Sequence, residues 1–238
     1  MPDTRQHRGP HPEDAELFAR GQWPALQAAA ADFTWLLDRG YASESSLKLV
    51  GDRYGLRQRQ RMAIIRGCAS TEQIASRQAR LVALADATGR PLWIDGYNVL
   101  LTIEAALGGA VILAATDGTC RDLASVHGTY RRVAETTPAI ALLSETLARI
   151  EIGPCRWLLD KPVSNSGRLA AILREEAAAR GWNWEVELVD SPDRELIAFA
   201  GLIATADSAI LDRCRAWLNL ARVTLEGGKL ETWMVPLS

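Results

Sequence analysis

The chain has 238 residues, enough to bury a sizeable core as one large domain or two small ones. It is 48% apolar and 24% charged with a net charge of -2, so a soluble globular protein is expected and no polyanionic or strongly cationic partner is demanded. Four scattered cysteines, no C-x-x-C, no secretory leader pattern and no apolar run near the roughly 20 residues of a bilayer span argue against a zinc site, a disulfide scaffold and a membrane partner, and point to the cytoplasm.

The elements follow in chain order. Residues 1–12 are polar and Pro-containing and read as a disordered tail. Residues 13–88 read as a helical, basic module. Leu26, Ala30, Phe33, Leu36 and Leu37 recur at helical spacing, Gly40 follows as a C-terminal cap, and the serines of "SESSLKLVGDRYGL" supply a new start. "RQRQRMAIIRGCAS" and "STEQIASRQARLVALADATG" continue in the same manner, the second opened by a capping box of Ser70 or Thr71 with Gln73. Residues 1–90 hold thirteen Lys or Arg against ten Asp or Glu, and residues 91–238 fourteen against nineteen. A basic front and an acidic back suggest two modules.

The pattern changes at Arg90. "PLWIDG" reads as a buried strand, "NVLLTIEAAL" as a helix and "GGAVILAATDG" as a strand or hairpin arm. "CRDLASVHGTYRRVAETTPAIALLSETLARI" reads as one or two helices broken near Pro138. Then strands "PCRWLLD", "WEVELVD", "GLIATAD" and "ARVTLEGG" alternate with helices "SGRLAAILREEAAARG", "DRELIAFA" and "SAILDRCRAWLNL". Such alternation builds a mostly parallel sheet covered by helices, so residues 90–238 are expected to be a Rossmann-like α/β domain.

Four of these strands finish on or just before an aspartate: Asp95, Asp160, Asp190 with Asp193 after it, and Asp207. In an open parallel sheet the carboxyl ends of the strands lie along one edge, where ligands bind. Any one of these acids reads more readily as a helix cap than as a catalyst. Together they would repel unless a cation sat among them, and hard carboxylate oxygens suit Mg²⁺ or Mn²⁺.

"IDGYNVL" resembles the first-strand motif of the PIN and NYN nuclease superfamily, a hydrophobic strand followed by D-G-x-N. "IATADSAIL" is similar to that superfamily's later signature, and the resemblance spans about residues 91–225. More closely, "LKLVGDRYGLRQRQR" with "IDGYNVL…DGTCRDLASVHGTYRRV…LLDKPVSNSGRLA" resembles a prokaryotic family of paired domains of unknown function, the 434 type followed by the 5616 type. The PIN-like resemblance implies a metal-dependent phosphodiesterase, most readily a ribonuclease. It implies Asp95, Asp160, Asp193 and Asp207 as metal ligands, with Asn98 and Asp190 in support. The superfamily's acid midway through the chain has no clear counterpart, Glu135 and Glu145 both being candidates, and Asp117 and Asp122 could reach the site or cap the following helix.

Ser164, Asn165, Ser166 and Arg168, at a helix start, would suit a phosphate, since backbone N–H groups there favour anions. A well-capped helix explains the same residues. Lys48, Arg53, Arg57, Arg59 and Arg61 could track a nucleic-acid backbone, or form a solvated helix face. His127 reads as structural or as a substrate contact. Nucleic acid is the expected partner, RNA favoured over DNA by the resemblance alone. The alternative function is a non-catalytic nucleic-acid- or nucleotide-binding protein whose acids are caps. Exposed tryptophans would mark a homodimer, but most fall on apolar faces that core packing explains, and a homodimer is left open.

Overall fold

In the computed structural model, residues 8–124, 130–228 and 230–238 are described. Helices α1 (Asp14–Leu17), α2 (Trp23–Leu37), α3 (Ser43–Arg53), α4 (Gln58–Gly67), α5 (Thr71–Gln78) and α6 (Leu84–Ala87) come first. Then follow β1 (Leu92–Asp95), α7 (Gly96–Leu107), β2 (Ile112–Ala114), β3 (Cys120–Asp122), α8 (Thr136–Arg149), β4 (Cys155–Asp160) and α9 (Ser166–Arg180). The chain ends with β5 (Trp184–Val189), α10 (Pro192–Ala198), β6 (Leu202–Ala204), α11 (Ser208–Leu211), β7 (Ala216–Leu218), α12 (Leu220–Gly227) and β8 (Met234–Pro236).

The fold is mixed α/β. Five parallel strands form the main sheet in the order β5-β4-β1-β6-β7. β1 lies at its centre because Leu92 and Ile94 are wholly buried, each side chain contributing about 1.5–3 kcal/mol. From β1 the chain builds outward through β4 to β5, then returns to the other side of β1 for β6 and β7. The crevice beside β1, where the winding reverses, is the place at which such sheets leave room for a ligand. Gly96 follows β1 because a Cβ there would stand 2.9 Å from the Leu158 carbonyl oxygen, so α7 starts hard against β4.

A second sheet has the order β3-β2-β8, with β2 antiparallel to β3 and parallel to β8. Leu113 and Val235 of this sheet, with Val111 and Leu237 flanking its strands, share a core with Leu26, Phe33, Val50 and Ile64 of the N-terminal helices. Below them Arg77 of α5, 1% exposed, bonds Asp117 at 2.6 Å and Asp212 at 2.7 Å, while Arg121 bonds the same Asp117 at 2.6 Å. These arginines hold the Asp117 carboxyl below its ordinary range against its burial.

Several expectations are corrected. "STEQIASRQARLVALADATG" is two helices, because Leu81 leaves helical geometry to bridge Trp217 of β7. The capping box is as expected: the Ser70 hydroxyl accepts from the Gln73 N–H at 3.2 Å, and the Gln73 side chain accepts from the Ser70 N–H at 3.1 Å. "ARVTLEGG" is helix α12, burying Leu220, Ala221, Thr224 and Leu225 on one face, and the strand lies earlier, at β7. "CRD" is an edge strand, and Pro138 sits in the first turn of α8 without breaking it. The disordered tail falls, for residues 1–7, outside the described residues. Residues 8–12 are held, because the Arg8 guanidinium pairs with Glu104, which is fully buried on α7 and needs a counter-charge. His127 also lies outside the described residues. No helix among the described residues is long and apolar enough to cross a membrane, and all four cysteines are buried free thiols.

Candidate functional site

The strand ends bring four aspartates to one edge of the main sheet. Asp95 is the last residue of β1 and 7% exposed. One carboxylate oxygen accepts from the Thr205 hydroxyl at 2.7 Å, the other from the Asn98 N–H at 3.4 Å, so it caps α7. Asp207 follows β6 and caps α11, accepting from the N–H groups of Ala209 at 2.8 Å and Ile210 at 3.2 Å. Asp160 ends β4 and is half-buried. Asp193 stands exposed at the start of α10, set by Pro192 and the Ser191 cap. The strand-end positions and the caps are one fact: a carboxylate that closes a strand-to-helix turn is thereby aimed at the crevice.

Their electrostatics are shared. Burial pushes the Asp95 carboxyl up to about 7; Asp207 and Asp193 push the same way, against the bonds from Thr205 and Asn98. Asp160 is raised by desolvation and by Asp193, and Asp193 by desolvation and by Asp207, with Arg213 opposing. Asp95, Asp160 and Asp193, with Asp207 acting on the first and last of them, therefore share one field that favours protons or cations. Asp190 stands apart, 87% exposed and 3.6 Å from Lys161. Asn98 does not reach toward Asp95 with its side chain: its amide oxygen accepts from the Ala206 N–H at 2.7 Å, tying α7 to the β6 end.

Among the described residues, no three His, Cys, Asp or Glu side chains stand close enough to hold one metal ion. The donor set still suits a hard divalent cation. Mg²⁺ keeps several waters and needs only one or two carboxylates plus a substrate phosphate, not a closed protein cage. None of the acids of residues 117–145 stands in this group. Asp117 lies between Arg77 and Arg121, Asp122 accepts from Thr102 at 2.9 Å and from the Ala124 N–H at 2.8 Å, Glu135 is buried at the start of α8, and Glu145 is exposed on that helix.

The serine-rich loop lies between β4 and α9. Asn165 takes a left-handed conformation, φ 69°, and gives no side-chain cap to α9. Its amide donates to the Tyr130 carbonyl at 2.9 Å, and the Tyr130 N–H donates to the Ser164 carbonyl at 2.9 Å. The Ser166 hydroxyl donates to the Lys161 carbonyl at 3.3 Å. Arg168 is exposed beside them.

The basic residues do not join this edge. Arg57 pairs with Glu13 at 3.0 Å, Arg53 with Asp32 at 3.4 Å, and Arg61 and Lys48 both with Asp52, at 2.8 and 3.8 Å. Arg59 pairs with buried Asp14. Each carries an acid within reach, so these helices present mixed charge.

Three residues that sequence reasoning passed over belong to the site. Thr205 holds Asp95. Arg121 is buried behind Asp207, donating to the Ala206 carbonyl at 2.8 Å. Tyr97, 6% exposed, carries a hydroxyl with no hydrogen-bond partner among the described residues. A buried orphan of this kind costs about 1–3 kcal/mol. Tyr97 occupies the variable position of "DGYN", the one signal that could have found it.

Comparison with known proteins adds family relations. A family model described as "Domain of unknown function (DUF5616)" matches residues 84–223, and one described as "Protein of unknown function (DUF434)" matches residues 25–80. "Uncharacterized protein MJ0935" of Methanocaldococcus jannaschii is 35% identical over 187 residues, 79% of this chain and 89% of that protein. No solved structure matches.

Proposed function

We propose, for a chain that belongs to the DUF5616 family and carries a DUF434 region ahead of it, a divalent-metal-dependent phosphodiesterase with a PIN-like, NYN-type site, most readily a ribonuclease. The observation that carries this reading is the shared field of Asp95, Asp160, Asp193 and Asp207 at the carboxyl edge, beside the reversal point of the sheet. Asp95 and Asp207 would hold Mg²⁺ or Mn²⁺ most directly, with Asp160 and Asp193 reaching it directly or through water. When bound, the metal supplies Lewis-acid polarisation of a phosphoryl oxygen and neutralises the charge that develops there.

The chain's own residues do the rest. Thr205 and the Asn98 N–H fix the Asp95 carboxylate by two bonds, so its direction is preset. Asn98 and Arg121 together hold the Ala206 main chain and so the place of Asp207. The raised Asp95 carboxyl holds a proton up to about neutrality, so metal and proton compete for one group. The loop of Ser164, Asn165, Ser166 and Arg168 would receive the substrate phosphate. RNA is preferred to DNA on the resemblance of "IDGYNVL" alone.

The test is hydrolysis of labelled single-stranded RNA and DNA with Mg²⁺ or Mn²⁺, beside calorimetric titration of Mn²⁺. Cleavage and Mn²⁺ binding that both vanish in Asp95→Asn with Asp207→Asn support the reading. Folded wild type that neither cleaves nor binds Mn²⁺, with RNA present, sinks it. That outcome would favour the second reading, a non-catalytic nucleic-acid- or nucleotide-binding protein, which the capping bonds of Asp95 and Asp207 and the absence of a closed cage among the described residues support.

A further inference from the structure

A cleft of about 420 Å³ opens where the N-terminal helices meet the border of the main sheet. Val82 and Leu84, past the end of α5, and Leu218, at the end of β7, give it apolar walls. Leu84 is 41% exposed, a large apolar side chain left partly open to water. The size is ordinary for a small-molecule site. β7 runs parallel to β6, the strand that leads to Asp207. Asn219, the residue after β7, therefore stands on the same carboxyl edge as the aspartates, one strand further out.

Three polar side chains line the cleft, and a single turn anchors all of them. Gly118, at φ 82°, makes that turn between β2 and β3. The Gln78 amide nitrogen donates to the Asp117 carbonyl at 2.9 Å. The Asn219 amide nitrogen and the Arg222 guanidinium donate to the Gly118 carbonyl, at 2.9 and 3.0 Å. A side-chain amide held by its nitrogen keeps its oxygen free to accept. Neither the Gln78 nor the Asn219 amide oxygen accepts a hydrogen bond among the described residues. Asn219 forgoes an ordinary use for that oxygen: it precedes α12, where such a residue caps the helix for about 1 kcal/mol, and it gives no side-chain cap. Arg222 is paired with Glu226 at 2.7 Å, so the cleft holds no surplus positive charge for a phosphate. It offers two fixed neutral acceptors beside an aliphatic surface. The matching ligand is uncharged and flat, with N–H donors on its edge.

We propose that this cleft binds a nucleobase bearing an exocyclic amino group, adenine, guanine or cytosine, from a nucleotide neighbouring the one at the aspartates. The amino group donates to the Gln78 and Asn219 amide oxygens, and the plane of the base lies against Val82, Leu84 and Leu218. That the base belongs to a substrate strand rests on the phosphodiesterase reading; recognition of the base does not.

The four ribonucleosides, and ribose 5-phosphate beside them, are titrated into the full-length protein in chelator and followed by ligand-observed NMR. Wild type is compared with Gln78→Ala and with Ala83→Trp, both at exposed positions of the cleft, the second chosen to fill it. We expect adenosine, guanosine and cytidine to bind wild type about 3- to 10-fold more tightly than uridine, which has no exocyclic amino group, the range for one neutral hydrogen bond. Gln78→Ala should narrow that gap and leave uridine unchanged, whereas a merely structural loss would weaken all four alike. Ala83→Trp should abolish nucleoside binding with Tm held. No nucleoside binding by wild type, uridine binding as tightly as the others, equal weakening of all four in Gln78→Ala, or undiminished binding by folded Ala83→Trp each overturns the site. Ribose 5-phosphate binding as tightly as the nucleosides overturns the assignment to a base. Base binding by a protein that never hydrolyses RNA keeps the cleft and removes the phosphodiesterase, and hydrolysis without nucleoside binding does the reverse.

Discussion

At the scale of single residues, Asp95 ties stability to acidity. Its folded carboxyl is raised from 3.8 to about 7, chiefly by burial. The folded state therefore holds a proton that the unfolded state gives up between these values. Asp95 costs nothing below the ordinary carboxylate range; its penalty grows as pH rises from about 3.8 to about 7 and levels off above that at about 4 kcal/mol. Melting curves across that window should show wild type losing stability relative to Asp95→Asn as pH rises. An unchanged difference between the two would mean that Asp95 is not desolvated. Mn²⁺ above neutrality should recover the loss in wild type and not in the variant. The place of Asp95 was legible in "WIDG", because a strand-ending acid before a helix has one geometry. Its restraint by Thr205 was not, since 110 residues separate the pair and only the pairing of β1 with β6 joins them.

Among elements, the ion pairs that cross between them carry the sharpest expectations. Arg77 links α5 to the turn at Asp117 and to Asp212 after α11, at 1% exposure. Arg77→Ala leaves buried Asp117 with Arg121 and the two bonds from Thr119, one counter-charge short, and should cost about 3–5 kcal/mol in urea unfolding. A loss under about 1 kcal/mol would show that Arg121 suffices. Arg8→Ala removes the counter-ion of fully buried Glu104, whose other partners are the Tyr130 hydroxyl at 2.7 Å and the Thr136 hydroxyl at 2.6 Å. We expect a comparable loss, read by the same measurement, and no change if the tail is dispensable. Sequence periodicity found most helices but misread two segments for one reason. "RAWLNL" and "ARVTLEGG" are both apolar and short, and a run of that length fits strand or helix until its neighbours are known. The positions 220, 221, 224 and 225 did carry the helical spacing of α12.

For the whole molecule, composition divides the chain near residue 88 while the core crosses that point. Leu113 and Val235 of the small sheet are buried by Phe33 and Ile64 of the N-terminal helices. The full chain should therefore unfold in one transition, with calorimetric and van't Hoff enthalpies equal. Residues 90–238 expressed alone should bind hydrophobic dye and melt without cooperativity. A sharp, independent transition for that segment would refute the shared core. The alternation of strands and helices made the main sheet legible from sequence. The small sheet was hidden, because it joins β2 to a strand whose paired positions each lie 122 residues further along the chain, Ile112 with Met234 to Ala114 with Pro236.

The two borders of the main sheet are guarded by different means. Beyond β7, Leu81 bridges Trp217, the Val82 N–H donates to the Trp217 carbonyl at 2.9 Å, and the Trp217 N–H donates to the Arg80 carbonyl at 3.1 Å. Chain covers that border. At β5 the guard is charge: Glu185 and Glu187 alternate along the strand, with Arg156 of β4 facing both. Open strand borders recruit other chains unless covered or charged. Acid or concentrated salt weakens the second guard and leaves the first intact. Self-association of this protein should therefore begin at β5, and a lysine placed there should delay it.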